Sequence, residues 1–308
     1  MSDAVLLVAH GTVDDLDDLP AFLTNVRRGQ PPAPQLVAEL RRRYEAIGGR
    51  SPLNAVTAEV ARKLDRLVGS ARVRVAWANR LWKPYVRDVV ADLARAGVRR
   101  VALVPLAQHS VHVYAADARR AVEGTGVALA SAPSWGRSPK LCAAFARRVA
   151  DVLARSPDPD RTALVMTAHS LPRAVVERGD PYERDVRASV DDVARLVRDR
   201  LGREPRPLLA FQSQGMGGAG PDGRPVEWLG PDLRTALDEA RARGARHVVV
   251  APVGFLADHV EILYDLDVEA RAMAVERGLT YARAPLLNAD DDFIDALADV
   301  ARPLLSHG

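Results

Sequence analysis

The 308 residues contain a single cysteine, Cys142. A disulfide framework needs paired cysteines, and a thiolate metal site or an iron–sulfur cluster needs several. Both kinds of structure are therefore excluded for this sequence. A lone cysteine suits a reducing compartment, and we expect the protein to be cytoplasmic.

Long apolar runs are also missing. The N-terminal run 4–9 is closed by His10 and Gly11, which indicates a buried strand and not a secretory signal. No stretch approaches the roughly 20 apolar residues that cross a bilayer. We therefore expect no transmembrane segment, while peripheral contact with a membrane surface stays open.

The charges are not concentrated in blocks of one sign. The 43 basic and 40 acidic residues alternate along the chain, and the net charge is +3. Proteins that bind nucleic acid usually cluster their basic residues on one surface. We therefore expect no nucleic-acid partner.

Short aliphatic runs alternate with helical patterns over most of the chain. The predicted strands lie near residues 5–9, 73–78, 101–104, 127–130, 163–167, 208–211, 247–251 and 279–282. The predicted helices lie near residues 34–46, 55–67, 84–96, 115–122, 139–154, 182–201, 231–243, 256–275 and 291–304. This alternation predicts an α/β fold with doubly wound parallel sheets covered by helices.

One pattern occurs twice. Leu6-Leu7-Val8-Ala9-His10-Gly11 and Leu164-Val165-Met166-Thr167-Ala168-His169-Ser170 both read as a strand that ends in Ala-His and a small residue. We interpret the repeat as two similar Rossmann-like domains, 1–156 and 157–308, joined at the Pro- and Asp-rich linker 156–160. A C-terminal helix could return to the first domain.

Polar residues follow the predicted strands. Ligands of such sheets bind outside the carboxyl ends of the strands. The histidines closest to those ends are His10, His109, His112 and His169, with His259 one turn further on. Five histidines at one rim predict a site for metal binding or proton transfer.

An acidic row marks the helix predicted after Gly254. At 100° per residue, Asp258, Glu261, Asp265 and Glu269 fall within an arc of about 80°. Such a row is either an ordinary solvated face or a carboxylate track for cations or protons. In the first turn, Asp258 is interpreted as a helix-start residue.

Two short motifs have a composition that is typical of ligand sites. Gly215-Met216-Gly217-Gly218-Ala219-Gly220 matches a dinucleotide fingerprint, but the loop residues 221–225 follow where a helix is required, so no dinucleotide site is expected. Arg27 and Arg28 form a basic pair that could hold a carboxylate.

The chain resembles the ferrochelatase family over nearly its whole length. The resemblance is carried by motifs in a matching order: Ala9-His10-Gly11-Thr12; Arg27-Arg28-Gly29; residues 43–53, from Arg43-Tyr44-Glu45 to Ser51-Pro52-Leu53; Thr167-Ala168-His169-Ser170-Leu171-Pro172; Gly179-Asp180-Pro181-Tyr182; Phe211-Gln212-Ser213; Trp228-Leu229-Gly230-Pro231-Asp232; and Val253-Gly254-Phe255 through Tyr264-Asp265.

The resemblance implies insertion of Fe²⁺ into a porphyrin, with release of two protons, in a cleft between the two domains. It implies catalytic roles for His169 and Glu261, with Asp265 and Glu269 as further acids along the metal or proton path. Iron is then a substrate, no cofactor is required, and a monomer without an iron–sulfur cluster is expected. Arg27, Arg28, Ser51, Ser213 and His10 are the candidate contacts to the porphyrin, which is either protoporphyrin IX or coproporphyrin III.

The chain departs from the family pattern in three places. His10 stands where related enzymes often have Tyr, and it is a candidate axial metal ligand. The segment 105–114 is divergent, so no role is assigned to His109 or His112. Residues 215–225 resemble an insertion.

Two other functions fit the residues. The Ala-His-Gly start also suits a cobalt or nickel chelatase for another tetrapyrrole, and a porphyrin or haem carrier could use the same fold without turnover. The Trp228-Leu229-Gly230-Pro231 motif and the segment 43–53 favour ferrochelatase over both.

Overall fold

The computed structural model of the chain describes residues 2–214 and 225–305. They fall into two compact units: unit 1 is Met1–Leu141 with Leu287–Gly308, and unit 2 is Cys142–Leu286. The sequence placed the division in the linker 156–160. In the structure, the helix Pro139–Leu153 passes into unit 2 at Cys142, and the C-terminal segment belongs to unit 1.

Unit 1 is built on a parallel sheet of four strands in the order β2-β1-β3-β4. The strands are β1 (Ser2–Ala9), β2 (Val73–Asn79), β3 (Val98–Pro105) and β4 (Ala128–Ser131). The helices are α1 (Leu19–Val26), α2 (Pro34–Ala46), α3 (Leu53–Val68), α4 (Val86–Arg95), α5 (Val111–Val122) and, after unit 2, α12 (Asp291–Leu305).

Strand β1 lies at the centre of unit 1. It pairs with β2 on one side and β3 on the other, and its residues 4–8 have no exposed surface. Helices cover both faces of such a strand, which explains why its sequence is continuously aliphatic and does not alternate. Full burial of each large side chain, such as Leu6 or Leu7, contributes about 1.5–3 kcal/mol.

Helix α12 completes the core of unit 1. It packs on α3 and β3, where the Phe293 ring stacks on Trp135 with centroids 6.4 Å apart. Lys63 Nζ lies 2.6 Å from Asp291 Oδ1 in the first turn of α12. A carboxylate in this position is also favoured by the helix dipole.

Unit 2 repeats this architecture. Its parallel sheet has the order β6-β5-β7-β8, formed by β5 (Thr162–His169), β6 (Leu208–Gln212), β7 (His247–Ala251) and β8 (Thr280–Arg283). The helices are α6 (Pro139–Leu153), α7 (Arg173–Glu177), α8 (Tyr182–Leu201), α9 (Leu233–Ala242), α10 (Val260–Tyr264) and α11 (Arg271–Glu276). The α/β prediction and all eight predicted strands are confirmed.

The strand order defines one switch point in each sheet. The chain leaves β1 to one side to form β2 and returns to the other side to form β3, and unit 2 does the same around β5. Such sheets bind ligands in the crevice between the central strand and the neighbouring strand that comes later in the sequence. It falls between β1 and β3 in unit 1, and between β5 and β7 in unit 2.

The acidic helix differs from its prediction. It begins at Val260 and not near 256, and residues Asp265–Ala270 form a π-helical segment between α10 and α11. A π turn closes with i→i+5 hydrogen bonds, so the 100° step that defined the acidic row does not hold along this helix. The N-cap of α10 is His259, so Asp258, one residue earlier, is not the capping residue that the sequence predicts. Its carboxylate pairs with Arg283 instead.

Helices α1 and α7 were not predicted. Most of the glycine-rich segment 215–225 lies outside the described residues. Within the described ranges, no helix is both long and apolar enough to cross a bilayer.

Gly11 gives a test of unit 1. Its φ is +94°, and a Cβ there would lie 2.7 Å from the Asn79 Cβ. Gly11→Ala should therefore carry both a backbone cost of about 1–2 kcal/mol and an overpacking cost of about 1–3 kcal/mol. Chemical denaturation of the two proteins measures the sum.

Gly97→Ala is the matched control, because Gly97 has φ +81° but no atom within 4 Å of its Cβ position. It should show the backbone cost alone. Equal destabilisation by the two substitutions would contradict the packing argument at the end of β1.

Candidate active site

The carboxyl edge of the unit 2 sheet holds the candidate active site. Strand β5 ends at His169, and β7 ends at Ala251, from which the loop 252–259 leads to α10. Parallel neighbours end at the same edge of a sheet. The loop and the first turn of α10 therefore meet the end of β5 at the switch point.

His169 is held firmly by its surroundings. The Tyr182 hydroxyl donates to the His169 carbonyl at 2.9 Å, and the His169 Nδ1 bonds to the Ser170 carbonyl. A carbonyl can only accept, so Nδ1 carries a proton and Nε2 is the ring nitrogen left to face Glu261. That Nε2 lies 3.5 Å from Glu261 Oε2.

Glu261 reaches this position because the loop before it approaches β5 closely. Gly254 N–H donates to the Thr167 carbonyl at 2.9 Å, and a Cβ on Gly254 would lie 2.5 Å from the Ala168 Cβ. Only glycine fits this approach. Glu261 then lies in the first turn of α10, where the helix dipole favours a carboxylate.

A second imidazole faces the same carboxylate. His259 Nε2 lies 3.7 Å from Glu261 Oε2, and His259 Nδ1 is 2.9 Å from the Ala257 carbonyl, which fixes the tautomer in the same way. His259 is extended, with φ −158° and ψ 178°. Two Nε2 atoms therefore converge on one carboxylate oxygen.

Charge controls the protonation of His259. Burial opposes its charged form, but the Glu261 side chain, the Ala257 carbonyl and Asp265 together outweigh that penalty and raise the pKa of His259 above its ordinary value of 6.5. The sequence places His259 among the five histidines near the strand ends, but it assigns this residue no catalytic role. The Asp-His-x-Glu spacing could have indicated it, since residues two apart share a side in extended chain.

Asp265 continues the site along the helix. It is 6% exposed, and the Ser213 hydroxyl donates to its Oδ2 at 2.5 Å. Ser213 has φ +56°, a left-handed conformation that costs a non-glycine residue about 1–3 kcal/mol and is common at functional sites. Glu269 lies partly buried in the π segment.

The Trp-Leu-Gly-Pro motif lies alongside the motif of His169. Ser170 Oγ donates to the Leu229 carbonyl at 2.9 Å, Leu229 N–H donates to the Leu171 carbonyl at 2.9 Å, and Pro172 pairs antiparallel with Trp228. Motifs about 60 residues apart in the sequence thus form one structural element.

The remaining predicted residues lie in unit 1. His10, at the end of β1, is exposed, and its ring meets Phe22 edge-on with centroids 6.3 Å apart. Arg27 and Arg28 follow α1 and are exposed, with Arg28 at φ +56°. Ser51 is 2% exposed, and its Oγ accepts from the Leu53 N–H at 3.5 Å.

The structure therefore separates the predicted set by unit. His169, Glu261, Asp265 and Ser213 come together at the carboxyl edge of unit 2, and His259 joins them. Of the histidines without an assigned role, His109 is buried against Gly136, and His112 is exposed on α5. In the part of the chain that the structure describes, no three His, Cys, Asp or Glu side chains are arranged to hold a metal ion.

Solved structures of chelatases share this fold. SirB from Bacillus subtilis with Fe³⁺ aligns with a TM-score of 0.58 and 14% identity, covering 99% of this chain and 96% of that chain. The sirohydrochlorin chelatase SirB from Bacillus subtilis subspecies spizizenii in complex with cobalt gives 0.56 and 13%, covering 99% and 95%. At this identity the likeness shows the fold alone, which is that of the chelatases.

Sequence relatives are more specific. A family model described as Ferrochelatase matches residues 2–304. The ferrochelatase of Thermus thermophilus is 37% identical over 326 residues, covering 96% of this chain and 97% of that protein. The coproporphyrin III ferrochelatase of Bacillus subtilis is 33% identical over 308 residues, covering 96% of each. The chain belongs to the ferrochelatase family, and the predicted resemblance is confirmed.

The contact between His259 and Glu261 predicts how this histidine titrates. Its pKa should lie above 6.5, so its contribution to folding stability is fully present below pH 6.5 and is lost as the pH rises through the folded pKa. In Glu261→Gln the carboxylate is gone while burial remains, and the pKa should fall. NMR titration of the imidazole Cε1–H signal measures both values.

His247→Ala removes one imidazole signal from the spectrum and so helps to assign the others. His247 lies away from Glu261 in the fold, where it bonds to Thr280 at the start of β7 and β8. A His259 pKa that does not change in Glu261→Gln would contradict the charge argument.

Proposed function

We propose that this ferrochelatase inserts Fe²⁺ into a porphyrin in haem biosynthesis, and that His169 and Glu261 carry the chemistry. The observation that supports these roles is the convergence of two imidazole Nε2 atoms on the Glu261 carboxylate, 3.5 Å and 3.7 Å away. Insertion releases both pyrrole N–H protons of the macrocycle. The reaction therefore needs bases that are held in place and active near neutral pH.

The geometry suits proton removal. His169 presents an Nε2 lone pair because its Nδ1 is bonded to the Ser170 carbonyl. When that Nε2 takes a proton, the Glu261 carboxylate stabilises the resulting charge. Asp265 and Glu269 follow Glu261 along the same helix, and we propose that they pass protons or cations onward.

The same side chains can also hold the incoming metal. Imidazole and carboxylate are suitable ligands for Fe²⁺, and the macrocycle nitrogens would replace them as the ion enters the ring. Iron is then a substrate and not a resident cofactor. Since Cys142 is the one cysteine of the 308 residues, a cysteine-held cluster has no ligand set here.

Unit 1 is proposed to contribute contacts to the porphyrin. Arg27 and Arg28 are exposed and suited to bidentate binding of propionates. His10 is proposed to contact the macrocycle or its metal. Ser51 and Ser213 complete the candidate set; their hydroxyls bond to the Leu53 N–H and to Asp265, so they would act at the margin of the bound substrate.

The natural porphyrin can be identified by assay. The relatives include a ferrochelatase and a coproporphyrin III ferrochelatase. The purified protein is supplied with Fe²⁺ or Zn²⁺ and with coproporphyrin III, protoporphyrin IX or sirohydrochlorin. Formation of a metalloporphyrin over many turnovers is expected from at least one porphyrin.

Two outcomes would contradict the proposal. Metal insertion into sirohydrochlorin alone would indicate a chelatase for another tetrapyrrole. Stoichiometric porphyrin binding without turnover would indicate a carrier.

Substitution of the catalytic pair tests the assigned roles. His169→Ala and Glu261→Gln should each lower kcat by at least about 100-fold, the scale of general acid–base catalysis. Porphyrin binding, followed by fluorescence quenching, should remain measurable because the macrocycle is held largely by other residues.

Matched controls exist in the same unit. His247→Ala removes a histidine that bonds to Thr280, and Glu276→Gln changes an exposed carboxylate at the end of α11. Both should keep normal activity. Near-normal activity in either His169→Ala or Glu261→Gln would refute the assignment.

We also infer that the protein acts as a monomer in the cytoplasm. Among the described residues, the exposed large apolar side chains are Val26, Leu67, Val268 and Val275, whereas a stable interface uses about 20–30 residues on each side. Analytical ultracentrifugation should give a mass near 33.3 kDa. A dimer mass would contradict this inference.

A further inference from the structure

Arg283 contacts the chain on both sides of Glu261. It is the last residue of β8, in register with Val250 of β7. Its Nη1 lies 3.1 Å from Asp258 Oδ1, before α10 begins. Its Nε and Nη2 donate to the two carboxylate oxygens of Asp267, in the π segment, at 2.7 and 3.1 Å.

These three charges are largely withdrawn from solvent. The side chains of Arg283, Asp258 and Asp267 are 14%, 20% and 31% exposed. A bidentate guanidinium–carboxylate pair in such surroundings is both strong and geometrically specific. Screening by salt, which weakens exposed ion pairs, is reduced here.

The two carboxylates belong to segments that need such an anchor. Asp258 ends the loop that approaches β5 through Gly254, and Asp267 lies in a π turn, an uncommon conformation that often marks functional sites. The Asp267 carbonyl also accepts from Arg271 Nε at 3.1 Å. Glu261 lies between the two anchored positions.

The partner of Glu261 is anchored to the same sheet. His169 ends β5, and its carbonyl accepts from Tyr182. The 3.5 Å separation between His169 Nε2 and Glu261 Oε2 therefore depends on how the Glu261 segment is fixed to the sheet. Arg283 forms an ion pair with Asp258 before α10 and a hydrogen-bonded ion pair with Asp267 after it. The Gln212 side chain of β6 contacts the Glu261 carbonyl at 3.5 Å.

We infer that Arg283 is a positioning residue for Glu261: one guanidinium at the end of β8 binds Asp258 and Asp267 and so sets the Glu261 carboxylate against His169. The inference rests on the proposed roles of His169 and Glu261. Arg283 acts through these two carboxylates and not on the substrate, so its loss should lower the rate of insertion more than it weakens porphyrin binding.

The test uses Arg283→Gln, Arg283→Lys and Asp267→Asn in the full chain. Arg283→Gln should lower kcat by about 10- to 100-fold, as expected for loss of a partner that orients a reacting ligand. The KM for porphyrin should change little. Arg283→Lys should retain more activity than Arg283→Gln, because the ammonium keeps the positive charge. It should remain below the wild type, because an ammonium cannot bind both carboxylates in the fork geometry of a guanidinium.

Arg277 supplies the matched control. Its side chain is also 14% exposed, and its Nε and Nη2 bind Asp238 at 2.6 and 3.2 Å. Its partner Asp238 is 60% exposed, so the match lies in the arginine and its two hydrogen bonds. Arg277→Gln should remove those bonds and yet keep the wild-type kcat. Thermal unfolding of all variants separates loss of rate from loss of folded protein.

Crystal structures of the variants give a second readout that needs no turnover. The His169 Nε2 to Glu261 Oε2 distance should lengthen in Arg283→Gln and Asp267→Asn and stay unchanged in Arg277→Gln. If Arg283→Gln does not fold, the kcat values and the distances in Arg283→Lys and Asp267→Asn test the positioning role of Arg283.

The inference is overturned if the folded variants keep the wild-type kcat and the wild-type distance. It is also overturned if Arg277→Gln loses as much kcat as Arg283→Gln, because that would show a general effect on stability. A wild-type protein without insertion activity would instead refute the proposed function, and the measured distances would still test the role of Arg283.

Discussion

The Glu261 carboxylate and the two imidazoles that face it are the interaction on which the site depends. Burial opposes the charged form of His259, but the Glu261 carboxylate and the groups around it raise its pKa above the ordinary value. The backbone carbonyls of Ser170 and Ala257 orient the two rings, since each one binds an Nδ1 and leaves the Nε2 of the same ring directed at the Glu261 carboxylate.

Placing a charged group there requires support from the rest of unit 2. Gly254 lets the loop reach the end of β5, and the strained backbone of Ser213 presents a hydroxyl to the buried Asp265. The π segment and the Arg283 ion pairs lie further along the same helix. Such local departures from regular structure occur where function demands a geometry that ordinary helices and strands do not supply.

The two units show how one architecture serves different roles. Both sheets have the same strand order, and an Ala-His pair lies at the end of each central strand: β5 ends at His169, and His10 directly follows β1. After β7 the chain supplies His259, Glu261 and Asp265. The stretch after β3 supplies Gln108 and His109 and has no acid before Asp117. The cluster of acids and histidines therefore belongs to the edge of unit 2, although the scaffold is duplicated.

The sequence by itself determined the class of fold, the positions of its strands along the chain and the choice of His169 and Glu261 as the candidate pair. Short, continuous aliphatic runs that alternate with helical patterns indicate buried strands of a covered parallel sheet, and ligands gather at the carboxyl ends of such strands. The tertiary structure decided what depends on contacts between distant segments. Periodicity could not predict the π segment, because the pattern assumes a constant 100° step. It could not pair Asp258 with Arg283, which lies on another strand. Nor could it show that His259 faces Glu261, because the direction of this imidazole depends on one extended residue at the start of the helix.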